Sequence, residues 1–348
     1  MENASFMADP TRLLIAAAVG IILLLILIIR FKLHPVLSMM ISALVIGVGA
    51  GMPLTMIAET VEKGVGKTLQ GIALLVGLGS MFGEILEVTG GAQRIAETLI
   101  DKLGQKKAGW ALGITGLIIG TTVFFEAGVV VLIPLAFSVA KQTKKSTLYY
   151  AVPLLAGLAS GYAFVPPSAG SVLVANALSV NLGTMIMVGV PTALISMLVA
   201  GIIWGQFIGT KIFTELPTNV GEIKDDGKEL PSFGLVLCII LIPLVLILLS
   251  TLSKYLPVGK SVQDVLGFIG KPFIALTIAT LAAMYFLGVR RGFTGAQLKK
   301  ILDHSLRPVG MILLVIASGG VIRWMLQDSG LGYIIGPALE KSCLPLIL

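Results

Sequence analysis

Charge is scarce in this chain. Asp, Glu, Lys and Arg together make up 12% of its 348 residues, about half the share of an ordinary soluble domain. Cysteine and histidine number two each: Cys238, Cys343, His34 and His304. The cysteines give no metal-ligand spacing and no expected disulfide, and both histidines read as residues of short loops. Nothing in this set builds a metal site. An intramembrane hydrolase is a remote alternative: Ser160, in Ala159-Ser160-Gly161, falls within an apolar run, but no histidine lies at that depth to act as its base. A nucleotide site fares no better. Gly64-Val65-Gly66-Lys67-Thr68 has Val61 where a phosphate loop requires its first glycine, and an apolar run follows where a helix cradling phosphates should begin. That argues against an ATP-driven pump.

What the chain has is apolar surface. Hydrophobic residues make up 56% of it, its mean hydropathy is +0.99, and several runs reach the roughly 18 residues that mark a spanning helix. The expected class is an all-α polytopic membrane protein whose main partner is membrane lipid. The formal charge of +7 does not point to nucleic acid, because the basic residues gather in short stretches at span ends, as the positive-inside rule requires. Leu13 to Ile29 has neither a basic region before it nor a small-residue cleavage site after it, so it reads as a retained span.

Spans are expected near residues 11–29, 35–51, 68–88, 184–210, 233–253, 268–288 and 308–326. Arg30 and Lys32 put the first connection in the cytoplasm and the N-terminus outside. The loop 89–107, with Arg94, Lys102, Lys106 and Lys107, then falls inside. So do Arg290, Arg291, Lys299, Lys300 and Arg307. The run 108–140 is awkward as one span. It would be about 50 Å long as a straight helix, against about 30 Å of hydrocarbon, and it ends at Lys141, Lys144 and Lys145. A re-entrant hairpin with both ends inside and its tip at Thr121 to Gly128 removes both difficulties. Residues 148–180 then cross as a discontinuous helix, broken from Val165 to Gly170, where Pro166-Pro167 removes two backbone donors.

Sliding the chain by 239 positions exposes a weak repeat. Leu74-Leu75-Val76 meets Leu313-Leu314-Val315, Gly91 meets Gly330, and Ile95 meets Ile334. The two copies would cross in opposite senses, the usual build of a secondary transporter. The expected organisation is a first transmembrane repeat over 1–214, a cytoplasmic linker at 215–232 and a partial second inverted repeat over 233–348. The second copy stops before any hairpin or broken helix of its own. The sequence therefore reads as a second repeat cut short after Ser342-Cys343-Leu344-Pro345-Leu346-Ile347-Leu348, and an inactive permease remnant stands as the alternative function.

Lipid cannot hydrogen-bond loose backbone, so a break at membrane depth persists only inside protein or beside a water-filled cavity. The two breaks are thus the candidate site. Glu126, at the hairpin tip, is an ionisable group within the membrane and the first candidate to carry a coupling proton. Glu84, about one turn deeper than Glu87 in its span, is the second. Pro166, Pro167 and Ser168 supply the substrate loop. Gly170 and Ser171 open a half-helix whose N-terminal N–H groups and positive dipole end suit an anionic carboxylate. Ser171, Asn176, Thr121 and Thr122 are candidate partners for hydroxyls. Arg323, level with Glu84 in the second copy, either pairs with an anion or snorkels.

Three stretches together resemble one family. They are Gly90-Gly91-Ala92-Gln93-Arg94-Ile95-Ala96, Phe125-Glu126-Ala127-Gly128 followed by Leu132-Ile133-Pro134-Leu135, and Phe164-Val165-Pro166-Pro167. The chain is similar to the gluconate permeases, within the wider ion transporter superfamily, from about residue 13 to 341. The resemblance implies a bacterial, multi-pass inner-membrane symporter and not an enzyme. It implies a small anionic sugar acid as substrate, a proton as coupling ion with no other cofactor, and room for a homo-oligomer. It carries the proton role onto Glu126 and the substrate-loop role onto Pro166, Pro167 and Ser168. Family members commonly read Pro-Pro-His-Pro-Gly-Pro where this chain reads Pro166-Pro167-Ser168-Ala169-Gly170-Ser171.

Overall fold

The computed structural model describes residues 9–70, 72–123, 125–214, 230–253, 257 and 259–331, without the side chains of residues 126, 127, 169 and 177. Every regular element among them is helical. Five helices are long and apolar enough to cross a membrane: Pro10–Ile29 (α1), Leu182–Lys211, Phe233–Leu252 (α12), Pro272–Arg291 and Gly295–Asp328 (α15). Shorter apolar helices include Pro35–Ala50 (α2) and Leu148–Phe164 (α8). Spans expected at 11–29, 184–210 and 233–253 are thus matched almost to the residue, whereas the one expected at 35–51 is the shorter apolar helix α2. In the fourth, α10 (Leu182–Ser196) passes through a π-helical stretch into α11 (Trp204–Lys211).

Two expected spans differ. The third is not one helix: α3 (Leu54–Gln70) ends and α4 (Ala73–Val88) begins within 68–88. The seventh begins much earlier than 308, because α15 runs unbroken for 34 residues. Pro308 sits inside it, and the neighbouring Ser305 carbonyl accepts the Ser80 hydroxyl at 2.7 Å. Pro308 removes the donor to the His304 carbonyl, one residue before the carbonyl that Ser80 reaches. His304 and Arg307 are therefore helical, not loop residues. The expected loop 89–107 is likewise mostly helix, α5 (Gly91–Leu103), with Ala92, Ile95 and Ala96 buried on one face. The expected linker lies outside the described residues from 215 to 229, as does the segment 342–348.

The chain divides into two compact units, residues 1–73 with 310–348, and residues 74–309. In the first, α1 and α2 pack antiparallel. Gly49 lies against Ala16, Gly20 against Ile46, and the Arg12 guanidinium donates to the Gly49 carbonyl at 2.7 Å. Lys63 on α3 meets Asp328 at 2.9 Å and lies over the Trp324 ring.

The second unit is organised by three helices: α6 (Ala108–Gly120), α7 (Phe125–Thr143) and α8. Glycines let α6 and α8 touch backbone to backbone. A Cβ on Gly113 would face the Pro153 carbonyl. On Gly116 it would come within 2.8 Å of the Leu158 amide, and on Gly120 within 3.0 Å of the Leu158 carbonyl carbon. From α8, Gly157 faces Gly113 and Gly161 faces Leu117. Residue numbers rise together on both helices, so they run parallel. Small residues at such spacing are how helices associate closely in lipid. Since only residues 144–147 separate α7 from α8, α7 must return to the end where α8 starts. The two helices form a hairpin, with a tip shorter than expected: α6 stops at Gly120 and α7 has begun by Phe125.

The 239-residue offset carries α2 onto the helix 272–291, and α3 with α4 onto α15. Left-handed glycines follow the matching helix ends one or two positions out of that register, Gly51 (φ 83°) with Gly292 (φ 88°) and Gly90 (φ 74°) with Gly330 (φ 95°). Glycine alone takes this conformation without a steric penalty.

Candidate functional site

Parallel packing of α6 and α8 brings their C-terminal ends to one level, and both helices stop there. After α8, Val165 is extended (φ −107°, ψ 116°) and the Pro166-Pro167 bond is cis. Ser168 caps the next helix, α9 (Ala169–Ala177). The break is therefore Val165 to Ser168, shorter than the expected Val165 to Gly170; Gly170 and Ser171 lie in the first turn of α9. Ser168 adopts extended backbone (φ −57°, ψ 148°), and its hydroxyl accepts the Ser171 N–H at 3.4 Å, an N-cap bond. The two hydroxyls lie 2.7 Å apart, and Ser171 Oγ also donates to the Ser168 carbonyl at 3.1 Å. Each hydroxyl has one proton, so while Ser171 donates to the Ser168 carbonyl the 2.7 Å contact uses the Ser168 proton. Ser168 can turn that proton toward a ligand when Ser171 donates to its hydroxyl instead.

The two breaks share a cavity. Thr121, Thr122 and Val123 line it from the hairpin tip, and Pro167 and Ser168 from the α8–α9 break. Leu75, Val76 and Gly79 of α4, Tyr162 of α8, and Leu276 complete the wall. Space for the centre of a water molecule amounts to about 20 Å³, roughly one water. That space is far less than a six-carbon acid would fill. Thr121 and Thr122 donate to the carbonyls of Ile118 (2.7 Å) and Ile119 (3.3 Å) on their own helix. Thr122, Ser168 and Ser171 are all buried. No charged side chain lines the cavity among the described residues, so an anion there would meet hydroxyls and the amino end of α9. The first N–H groups of a helix lack a helical acceptor, and that end carries the positive dipole.

Other nominated residues lie elsewhere. Pro166 is buried beside the break without lining the cavity. Asn176 is exposed in the last turn of α9. Glu126 occupies the first turn of α7, immediately past the tip. Glu84 lines a second, more open cavity with Phe293, Gln297, Lys300, Ile301 and His304, and its carboxylate meets His304 Nδ1 at 3.1 Å.

The contribution of α4 was not expected from sequence. Its trace is the small-residue run Gly77, Gly79 and Ser80. Gly83 on the same helix lies against Val123 of the tip, and a Cβ at Gly79 would meet nothing within 4 Å. The break itself is held from the far side by Gly189 of α10, where a Cβ would collide with the Phe164 carbonyl.

Helices that stop in mid-course and open onto a shared buried cavity, in a chain of many apolar helices, are the build of a membrane carrier. Comparison with known proteins gives the particular kind. The chain belongs to the GntP family of permeases, whose family model matches residues 12–348. It is 38% identical over 340 residues to the low-affinity gluconate transporter of Escherichia coli strain K12, covering 97% of this chain and 76% of that one. It is 35% identical over 338 residues to the high-affinity gluconate transporter of the same strain, covering 96% and 77%. A D-serine transporter of Escherichia coli O6:H1 is 36% identical over 317 residues, covering 90% and 71%. This is a multi-pass inner-membrane permease, not an enzyme.

Proposed function

We propose that this permease imports gluconate or a related sugar acid, coupled to protons. The observation that carries the reading is the meeting of the two breaks at one cavity lined by Thr121, Thr122 and Ser168. The substrate carboxylate would sit at the amino end of α9, near Gly170 and Ser171, with its hydroxyls toward the two threonines. Pro166 and Pro167 keep the loop from re-forming helix. The relatives support the substrate class: gluconate and D-serine share a carboxylate with a polar group on the adjacent carbon. Hydroxyls and backbone N–H groups can grip that unit without a fixed cation. Glu126 would carry the proton, and Glu84, paired with His304, would be a second stop for it. The inverted repeat remains part of this reading, supported by the matched helices and cap glycines.

Uptake of labelled gluconate into vesicles, with and without an inward proton gradient, tests the function; flux indifferent to the gradient would remove the coupling. Glu126→Gln should abolish gradient-driven uptake while the protein still reaches the membrane, and normal uptake in that variant would end the role of Glu126. Ser168→Ala removes both the cap and a ligand hydroxyl. The lost cap costs about 1 kcal/mol of stability. The lost hydroxyl–substrate hydrogen bond costs about 1–1.5 kcal/mol of binding, so gluconate KM should rise roughly five- to tenfold, with the maximal rate less affected. An unchanged KM would place the substrate away from this loop.

A further inference from the structure

Between two spanning helices lies a short one with an uncovered apolar side. Helix α13 (Lys260–Ile269) follows α12 and precedes the span 272–291. On a helical wheel, Val262, Val265, Leu266, Phe268 and Ile269 share one side, and Lys260, Gln263 and Asp264 the other. The helix is held to its neighbours along a narrow line. Gln263 donates to the Ser253 carbonyl at 3.1 Å, and Gly270, just past its end, is buried against Leu246 and Ser250 of α12. The apolar side takes no part in this: Val262, Val265 and Phe268 are 50%, 59% and 57% exposed.

Contrast with α5 shows that this is not the usual fate of such a helix here. α5 is equally two-faced, yet it buries Ala92, Ile95 and Ala96 in the core. α13 buries no residue. α12, a helix long and apolar enough to span, also leaves Leu241, Val245, Leu249 and Leu252 exposed on one side, the surface a spanning helix offers to lipid. A ten-residue helix spans about 15 Å, too short to cross, and it connects two spans at their common end. A two-faced helix in that position lies in the interface, apolar side down.

We propose that α13 is an interfacial anchor: Val262, Val265 and Phe268 insert into the lipid surface, while Lys260 and Asp264 face water. The partner is the bilayer itself. The test uses the full chain with Cys238 and Cys343 changed to serine, carrying Val265→Cys, Phe268→Cys or Asp264→Cys with a nitroxide label, reconstituted in phospholipid vesicles. At positions 265 and 268, collisions with oxygen should exceed those with a water-soluble nickel chelate several-fold; at 264 the order should reverse. Chelate-dominated collisions at all three would overturn the proposal. So would labels shielded from both reagents with spin–spin broadening, because a second copy of the chain would then cover this side. Asp264→Cys removes a solvent-facing group only, so it reports on the fold independently of the apolar positions.

Discussion

Gly79→Leu should abolish gluconate uptake while leaving the protein at its normal level in the membrane. Gly79 lines the cavity where the breaks meet, and a Cβ there has no neighbour within 4 Å. A leucine side chain would therefore occupy ligand space and clash with little else. Its volume far exceeds the roughly one water that the closed cavity now admits, so the site could not re-form around a substrate. Loss of at least about two orders of magnitude in uptake is expected, the scale of a binding deficit near 3 kcal/mol. The measurement pairs initial uptake rates with immunodetection of the protein in membranes. Wild-type uptake by Gly79→Leu would mean that the substrate passes elsewhere.

Gly157→Leu should have the opposite profile, with loss of the protein itself. Gly157 touches the Gly113 carbonyl, and a Cβ there would lie 2.9 Å from the Leu117 amide nitrogen. The neighbour is backbone on a second tightly packed helix, so it cannot rotate aside. Overpacking a well-packed interior costs about 1–3 kcal/mol, occasionally more, and backbone contact puts this case at the upper end. Prising α6 from α8 also separates the two breaks. The variant should be degraded or melt well below wild type in detergent, and surviving protein should not transport. A stable, active Gly157→Leu would contradict the parallel packing of α6 on α8.

These two glycines also show how much the sequence could tell. Breaks were legible because Pro166-Pro167 and Phe124-Phe125-Glu126 interrupt long apolar runs, and lipid tolerates such interruptions only in protected places. That 108–140 turns back on itself was legible from its length and from the lysines at its end. The exact extent of each break was not. Gly170 was expected as the last residue of the break, with Ser171 opening the half-helix, yet the Ser168 cap starts the helix at Ala169. The opposite error occurred at Pro308, which looked like a span boundary but sits inside α15. The first outcome was available locally, since serine is a favoured N-cap and Ser168 caps through the Ser171 N–H three residues on. The second lies in a helix with tertiary contacts, among them the Ser80 hydroxyl on the Ser305 carbonyl.

The shared cavity was legible only in part. Thr121, Thr122, Pro167 and Ser168 were nominated from two separate motifs, and the structure brings them together. Nothing in a single sequence states that α4 closes the same space, since Gly77, Gly79 and Ser80 could serve packing as easily as a ligand. Glu84 was nominated as a membrane acid, and it faces His304 in another cavity. A half-buried carboxylate on an apolar helix is recognisable, but its partner, 220 residues away in sequence, is not.

The central claim is that two separate breaks in the chain hold one substrate between them. Thr122→Cys and Ser168→Cys, each in a background lacking Cys238 and Cys343, test it most directly through their rate of alkylation by a small polar maleimide in sealed vesicles. The account predicts slow modification at both positions and further slowing at both by saturating gluconate, with no such protection by an inert sugar. Rapid modification at either position that gluconate leaves unchanged would contradict it.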